Sequence, residues 1–100
     1  MSVFPENWTL FVVDLEYTVP MEQVEPVLDD HMVFIKQGFE TGRFVAAGRK
    51  VPRSGGVIVM TAPDLDDAQR YMAADPFQIA GVAAYRFTEF VPGTLHPALR

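Results

Sequence analysis

The hydrophobic period of this chain changes near residue 20, and this change constrains the fold more than any other feature. Residues 8–17 are rich in β-branched and aromatic side chains, which predicts a strand that ends before Pro20. Alternation makes one side of this strand wholly apolar, with Phe11, Val13, Leu15 and Tyr17. Residues 21–41 then place apolar side chains at steps of three and four, the period of an amphipathic helix. We expect Pro26 to separate a short first turn from the main helix, and Gly42 to close that helix as a left-handed cap.

The rest of the chain continues with further strand and helix segments that turn residues separate. We predict a strand at 44–50, a hairpin loop at 51–55, a strand at 56–62, a helix at 64–74, a short turn or helix at 75–80, a last strand at 82–91 and a loose tail from about 93. The order β-α-β-β-α-β predicts an α+β, ferredoxin-like fold, in which a four-stranded antiparallel sheet carries two helices on one face. Residues 1–100 then make one domain of ordinary size.

Several strands are apolar on both faces, although two helices can cover only one face of a sheet. In the strand at 56–62, Val57 and Val59 alternate with Ile58 and Met60. An uncovered face of this kind would expose more apolar area than the few hundred Å² that monomers usually tolerate. We therefore predict a homodimer in which two sheets pack face to face.

Composition excludes several classes of function. The net charge of −5 disfavours nucleic acid and anionic membranes as partners, and no apolar run approaches the roughly 18 residues of a membrane span. The chain has no cysteine, so disulfides, thiolate nucleophiles and cysteine-based metal sites are excluded. The first residues lack the basic and apolar stretches of a signal peptide, and we expect a cytoplasmic protein.

His31 and Asp75 are the leading candidates for chemistry. His31 lies in the middle of the apolar stripe of the first predicted helix, and an imidazole is the natural acid or base near neutral pH. The alternative is a core histidine that bonds a carbonyl or a carboxylate. Asp75 before Pro76 has the pattern of a helix N-cap, which needs no further purpose. A contact with His31 would make it an orienting partner of the imidazole, but spacing in the chain leaves that contact open.

Three further residues are candidates for substrate binding. Arg49 belongs to a basic segment of an acidic protein and could receive a carboxylate or phenolate, although such segments are more often solvated hairpins. Asp14 falls on the strand side assigned to the dimer face, where a carboxylate needs a partner or a wet cavity. Ser54, beside Gly55 and Gly56, offers a hydroxyl and backbone donors, but no G-x-S-x-G motif surrounds it.

Five short motifs follow one another along nearly the whole chain. They are Asp30-His31, Gly42-Arg43-Phe44-Val45-Ala46-Ala47-Gly48, Gly55-Gly56-Val57-Ile58-Val59, Asp75-Pro76-Phe77 and Ala80-Gly81-Val82. Together they resemble the YciI-like (YCII-related domain) family of small bacterial proteins. The resemblance implies a dimeric α/β-barrel type of ferredoxin-like fold, an active site built from His31 and Asp75, and a relation to a dehydrochlorinase that acts on a chlorinated hydroxyquinol. Arg49 stands where the family often has proline, so the substrate does not carry over.

Two functions fit these residues. The first is a small lyase, dehydrochlorinase-like, or isomerase that acts on a small anionic or aromatic compound, with His31 as acid or base, Asp75 as its orienting partner and Arg49 as an anion contact. It requires no redox cofactor, and one histidine with nearby acids makes a poor metal site. The second is a non-catalytic ligand-binding or accessory dimer in which the pair is structural. An open pocket beside the pair would favour the enzyme.

Overall fold

Residues 4–99, the part of the chain that the computed structural model describes, form four strands and three helices. The elements in chain order are β1 (Thr9–Tyr17), α1 (Met21–Glu40), β2 (Phe44–Arg49), β3 (Gly55–Ala62), α2 (Leu65–Met72), α3 (Pro76–Ile79) and β4 (Ala83–Phe90). This order confirms the predicted α+β, ferredoxin-like class. The short segment predicted at 75–80 as a turn or helix is a helix of four residues, α3. One detail differs from the prediction: the tail, expected to be loose, forms one 3₁₀ turn at Pro97–Leu99.

The four strands form one antiparallel sheet in the order β2-β3-β1-β4. Because β1 and β3 lie at its centre, their side chains on the helix face form the middle of the core, where Phe11, Val13 and Met60 are fully buried. Phe34 of α1 and Met72 of α2 belong to the same cluster. Side chains alternate between the faces of a strand, and the structure confirms the predicted apolar side of β1.

Helix α1 runs through Pro26 without a break, so the expected separation of its first turn is wrong. Proline removes one N–H and leaves the carbonyl of Glu22 without its helical partner. Glu22 and Pro26 are both exposed, so water can bond that carbonyl, and the helix continues. Gly42 follows the helix with a φ of 78°, which confirms the left-handed cap. No helix in the described part of the chain is both long and apolar enough to cross a membrane.

The second face of the sheet carries a mixture of apolar and charged side chains. Val12, Val57 and Val59 on this face are only partly buried and lie outside the core cluster. Beside them the Lys50 Nζ atom lies 2.6 Å from the Asp14 Oδ1 atom. The helices pack against the other face, so this open face depends on water or on another molecule for cover.

Candidate active site

His31 is held against the start of α3 by one hydrogen bond. It lies in the middle of α1 on the side that faces the sheet, and only 9% of the residue is exposed. Its Nδ1 atom lies 2.8 Å from the Oδ1 atom of Asp75, although 44 positions separate the two residues in the chain. The structure therefore brings together the two residues that the sequence made the leading candidates.

Asp75 is fully buried and accepts three hydrogen bonds. Besides bonding His31, the Oδ1 atom accepts the backbone N–H of Phe77 at 3.0 Å, as an N-cap does. The Oδ2 atom accepts the hydroxyl of Tyr85 at 2.6 Å. Burial raises the pKa of the Tyr85 phenol well above its ordinary value, and the hydrogen bond and charge of Asp75 raise it further. Tyr85 therefore remains a donor at physiological pH.

These contacts fix the tautomer of the imidazole. An ionised carboxylate can only accept hydrogen bonds, so the proton between His31 and Asp75 resides on Nδ1. The Nε2 atom is then the ring nitrogen with a lone pair in the neutral form, and within residues 4–99 nothing bonds it. A neutral His31 can accept a proton from a bound molecule at Nε2, and a protonated one can donate it.

Aromatic stacking fixes the plane of the same ring. The ring of Phe77 lies parallel to the imidazole, with 3.7 Å between centroids and 2° between planes. Tyr17 contacts Phe77 edge-on from β1, at a centroid distance of 5.8 Å. His31 is thus held by Asp75 at one nitrogen and by Phe77 across one face, so the Nε2 atom has a defined direction.

His31 lines a cavity of about 350 Å³ between α1 and the sheet. The wall is mainly apolar, with Leu15, Leu28, Met32, Ile35, Ile58 and Phe77. Its titratable residues are Tyr17, His31, Arg49 and Arg53. The volume falls in the range of small-molecule sites, and a few polar groups in an apolar wall are their usual composition. No group of three or more His, Cys, Asp or Glu side chains within residues 4–99 is arranged to hold a metal ion.

The predicted substrate-binding residues fall into two groups. Arg49 lines the cavity, as the binding hypothesis requires. Asp14 does not line it: the residue lies on the open face of the sheet and pairs with Lys50. Ser54 lies outside the cavity as well, and its backbone carbonyl accepts the N–H of Tyr17 at 2.9 Å.

Sequence reasoning missed three residues that shape this site. Tyr85 falls within the strand predicted at 82–91, and no pattern in the chain shows that its hydroxyl reaches a carboxylate across the fold. Phe77 appeared only as part of a short motif. Arg53 had one usable signal, its membership in the basic segment around Arg49. A further basic residue of that segment, Arg43, pairs with Asp67 instead, and its guanidinium stacks on aromatic rings.

Fold and site together define a small ferredoxin-like protein with a buried His–Asp pair beside a cavity. The chain belongs to the YCII-related domain family, whose model matches residues 8–91. No curated protein matches the sequence.

Among the solved structures that share the fold are a dehydrochlorinase and an oxygenase. One is 5-chloro-2-hydroxyhydroquinone dehydrochlorinase (TftG) from Burkholderia phenoliruptrix AC1100 in complex with 2,5-dihydroxybenzoquinone, with a TM-score of 0.70, 17% identity, and coverage of 81% of this chain and 92% of that chain. The other is SnoaB, a cofactor-independent oxygenase from Streptomyces nogalater, with a TM-score of 0.51, 16% identity, and coverage of 90% and 97%. At these identities the likeness shows the fold.

Proposed function

We propose that this protein is a small enzyme that moves a proton on a compound bound in the cavity, with His31 as the acid or base. The observation that carries the proposal is the position of the imidazole: Asp75 holds its Nδ1 atom, and the ring lines a cavity of about 350 Å³. Asp75 acts as a positioning residue, since it is fully buried and contacts His31 rather than the cavity.

The reaction consists of proton transfer with one acid/base group. The Nε2 atom takes a proton from an acidic C–H or O–H bond of the substrate, and the electron pair of that bond moves into the substrate. In a lyase this pair expels a leaving group, which departs with the electrons of its own bond. In an isomerase the imidazolium returns the proton to a different atom. Both courses balance without an oxidant or reductant.

The similarity to TftG, whose name and bound compound both specify an oxygenated ring, supports a cyclic, oxygenated substrate. Dehydrochlorination, the reaction named for TftG, removes a proton and a chloride ion, and one acid/base group can serve it. SnoaB is named as cofactor-independent, which agrees with chemistry that side chains and substrate perform alone. We propose a one-ring compound of this type for the present chain, and an apolar cavity of this volume accommodates it.

The test first measures ligand binding and then measures enzymatic turnover of the compounds that bind. Chlorinated and unchlorinated hydroquinones are screened by thermal shift, because a ligand that binds the native state raises the melting temperature. Compounds that bind are then followed for proton exchange at carbon or for chloride release. The His31→Gln variant should lose about a hundredfold or more in kcat, the contribution expected of general acid–base catalysis.

His96 provides the matched control, because it is the only other histidine and is exposed outside the cavity. The His96→Gln variant should retain full activity. Retention of activity by a folded His31→Gln variant would overturn the assignment.

A non-catalytic ligand-binding function remains as the second candidate, because one observation favours it. Asp75 caps α3 and bonds Tyr85, so the His–Asp pair also supports the fold. Under this function, compounds would bind the cavity and none would turn over. The His31→Gln variant would then change the affinity for ligand without any activity to lose.

We further propose that two chains associate through the open face of the sheet. Val12, Val57 and Val59 are only partly buried there, at the centre of a sheet whose other face is covered by helices. Burial of such a face by a second copy removes apolar area from water, and pairing by a two-fold axis is the commonest arrangement of identical chains.

A further inference from the structure

The wall of the cavity carries positive charge in a protein that is acidic as a whole. Arg49 and Arg53 both line it, and its lining includes no Asp or Glu, although the chain carries a net charge of −5. Within residues 4–99 no carboxylate lies within ion-pair distance of either arginine. By contrast, Arg43, Lys50 and Arg70 each pair with an aspartate. The two cavity arginines therefore have a full charge to offer to a ligand.

The strand register places Arg49 and Tyr85 at opposite ends of one row across the sheet. Four positions form one row on the helix face of the sheet: Tyr85, Leu15, Gly56 and Arg49. Three strand spacings of about 4.8 Å separate the two ends of the row by roughly 14 Å. Tyr85, at one end, bonds the carboxylate that orients His31. Gly56 adds no side chain to the floor between the ends, which leaves space for a planar ring.

The hairpin that carries Arg53 is tied to the end of β1. The N–H of Tyr17 donates to the carbonyl of Ser54 at 2.9 Å, and the N–H of Lys50 donates to the carbonyl of Gly55 at 2.9 Å. Gly55 approaches β1 so closely that a Cβ atom there would lie 1.8 Å from a backbone oxygen. Arg53 thus stands on an anchored loop beside the cavity rather than on a free one.

We propose that Arg49 and Arg53 bind the anionic group of the substrate, a carboxylate or an ionised ring oxygen, at the end of the cavity away from His31. A guanidinium donates two parallel hydrogen bonds to a carboxylate and charge-assisted hydrogen bonds to an ionised ring oxygen, and the apolar wall covers the ring that carries either group. The substrate class is then a one-ring planar anion whose reacting atom lies on the side opposite to its charge. The role of His31 in this statement depends on the proposed function, whereas the anion site can be tested by binding alone.

Benzoate and benzamide are the probes, because they have nearly the same shape and differ in charge. Dissociation constants are measured by NMR titration of the labelled protein, with the amide signals of Gly55 and Gly56 as reporters of the site. Benzoate should bind about tenfold more tightly than benzamide, and added salt should weaken benzoate alone.

The Arg49→Gln and Arg53→Gln variants should each weaken benzoate on the order of fivefold and leave benzamide unchanged. The retained binding of benzamide shows that each variant is folded. Arg70→Gln is the matched control, since it removes the same charge from an exposed position outside this cavity, and it should leave both constants unchanged. Equal affinity for the two probes, or an equal loss in the Arg70 variant, would overturn the proposal.

The outcomes separate this proposal from the proposed function. If benzoate binding depends on the arginines and no bound compound is turned over, the anion site is supported and the proposed enzymatic function is rejected. If turnover depends on His31 but changes neither with substrate charge nor with substitution of either arginine, the enzymatic function is supported and the anion site is rejected.

Discussion

Substitution of Asp75 by asparagine tests the central contact of the site, and the same substitution at Asp64 provides its control. Both aspartates are helix N-caps. Asp64 is exposed and accepts one hydrogen bond, from the N–H of Asp67 at 2.8 Å. Asp75 is fully buried and accepts three, at 2.6, 2.8 and 3.0 Å. An asparagine keeps the shape at either position and removes the charge.

The expected loss of stability follows from these partners. A hydrogen bond to a charged group contributes about 1.5–3 kcal/mol and a neutral one about 1 kcal/mol. The Asp75→Asn side chain keeps one carbonyl oxygen for two of the donors, and its amide group forces the Tyr85 hydroxyl to become an acceptor. The free energy of unfolding should therefore fall by about 2 kcal/mol, which corresponds to about 8–16 °C in Tm for a domain of this size. At an exposed N-cap asparagine is as good as aspartate, so Asp64→Asn should cost about 0 kcal/mol.

Urea unfolding at one fixed protein concentration measures both variants, because a dimer would make the midpoint depend on concentration. A loss at Asp75 no larger than the loss at Asp64 would refute the reasoning. Asp75 would then be an ordinary helix cap, and the three short contacts would carry no special weight.

Three further predictions rest on single side chains. Above pH 10 the unfolded chain releases the phenol proton of Tyr85 while the native state keeps it, because the pKa of Tyr85 is raised in the native state. The free energy of unfolding should therefore fall more steeply with pH above 10 in the wild type than in Tyr85→Phe. Equal slopes for the two proteins in alkaline urea titrations would contradict this prediction. Val59→Glu should shift light-scattering mass from dimer towards monomer, since it places a charge on the open face, and an unchanged mass would remove that face as the interface. Gly55→Ala should lower the free energy of unfolding by about 2 kcal/mol or more, because its Cβ atom would lie 1.8 Å from the Leu15 carbonyl oxygen. In the control variant Gly48→Ala the new Cβ atom meets nothing within 4 Å, so the loss should be under about 1 kcal/mol. Similar urea midpoints for the two variants would contradict the close approach at Gly55.

Local pattern predicted most of the fold, because hydrophobic period and turn residues act over short distances. The alternation in β1 placed Phe11 and Val13 in the core, and the structure has both fully buried. The predicted break at Pro26 was wrong, because the carbonyl that loses its helical hydrogen bond is exposed and water can bond it. The free-energy cost of losing one exposed hydrogen bond is too small to break a helix that is stabilised along its length by packing against the rest of the protein.

The site was less predictable because it depends on strand register and on contacts between distant segments. His31 and Asp75 stood out by residue type, and the resemblance to a family joined them. Asp14 was a candidate because alternation placed it on the open face, and in the structure it pairs with Lys50 there and does not line the cavity. No local rule gives the register that aligns Arg49 with Gly56 across β2 and β3, so its position at the cavity required the structure.

The three residues of the motif Asp75-Pro76-Phe77 each contribute differently to positioning the imidazole of His31. Asp75 bonds the imidazole, Pro76 begins α3 at the position that proline prefers, and Phe77 stacks on the ring of His31. Variants of Asp75 therefore disturb the fold and the site together, and a loss of activity there would not separate the two roles. The Nε2 atom of His31, in contrast, bonds nothing within residues 4–99, so exchange of the imidazole for an amide removes proton transfer while a donor to Asp75 remains available. For this reason His31→Gln, and not a variant of Asp75, decides whether the pair is catalytic.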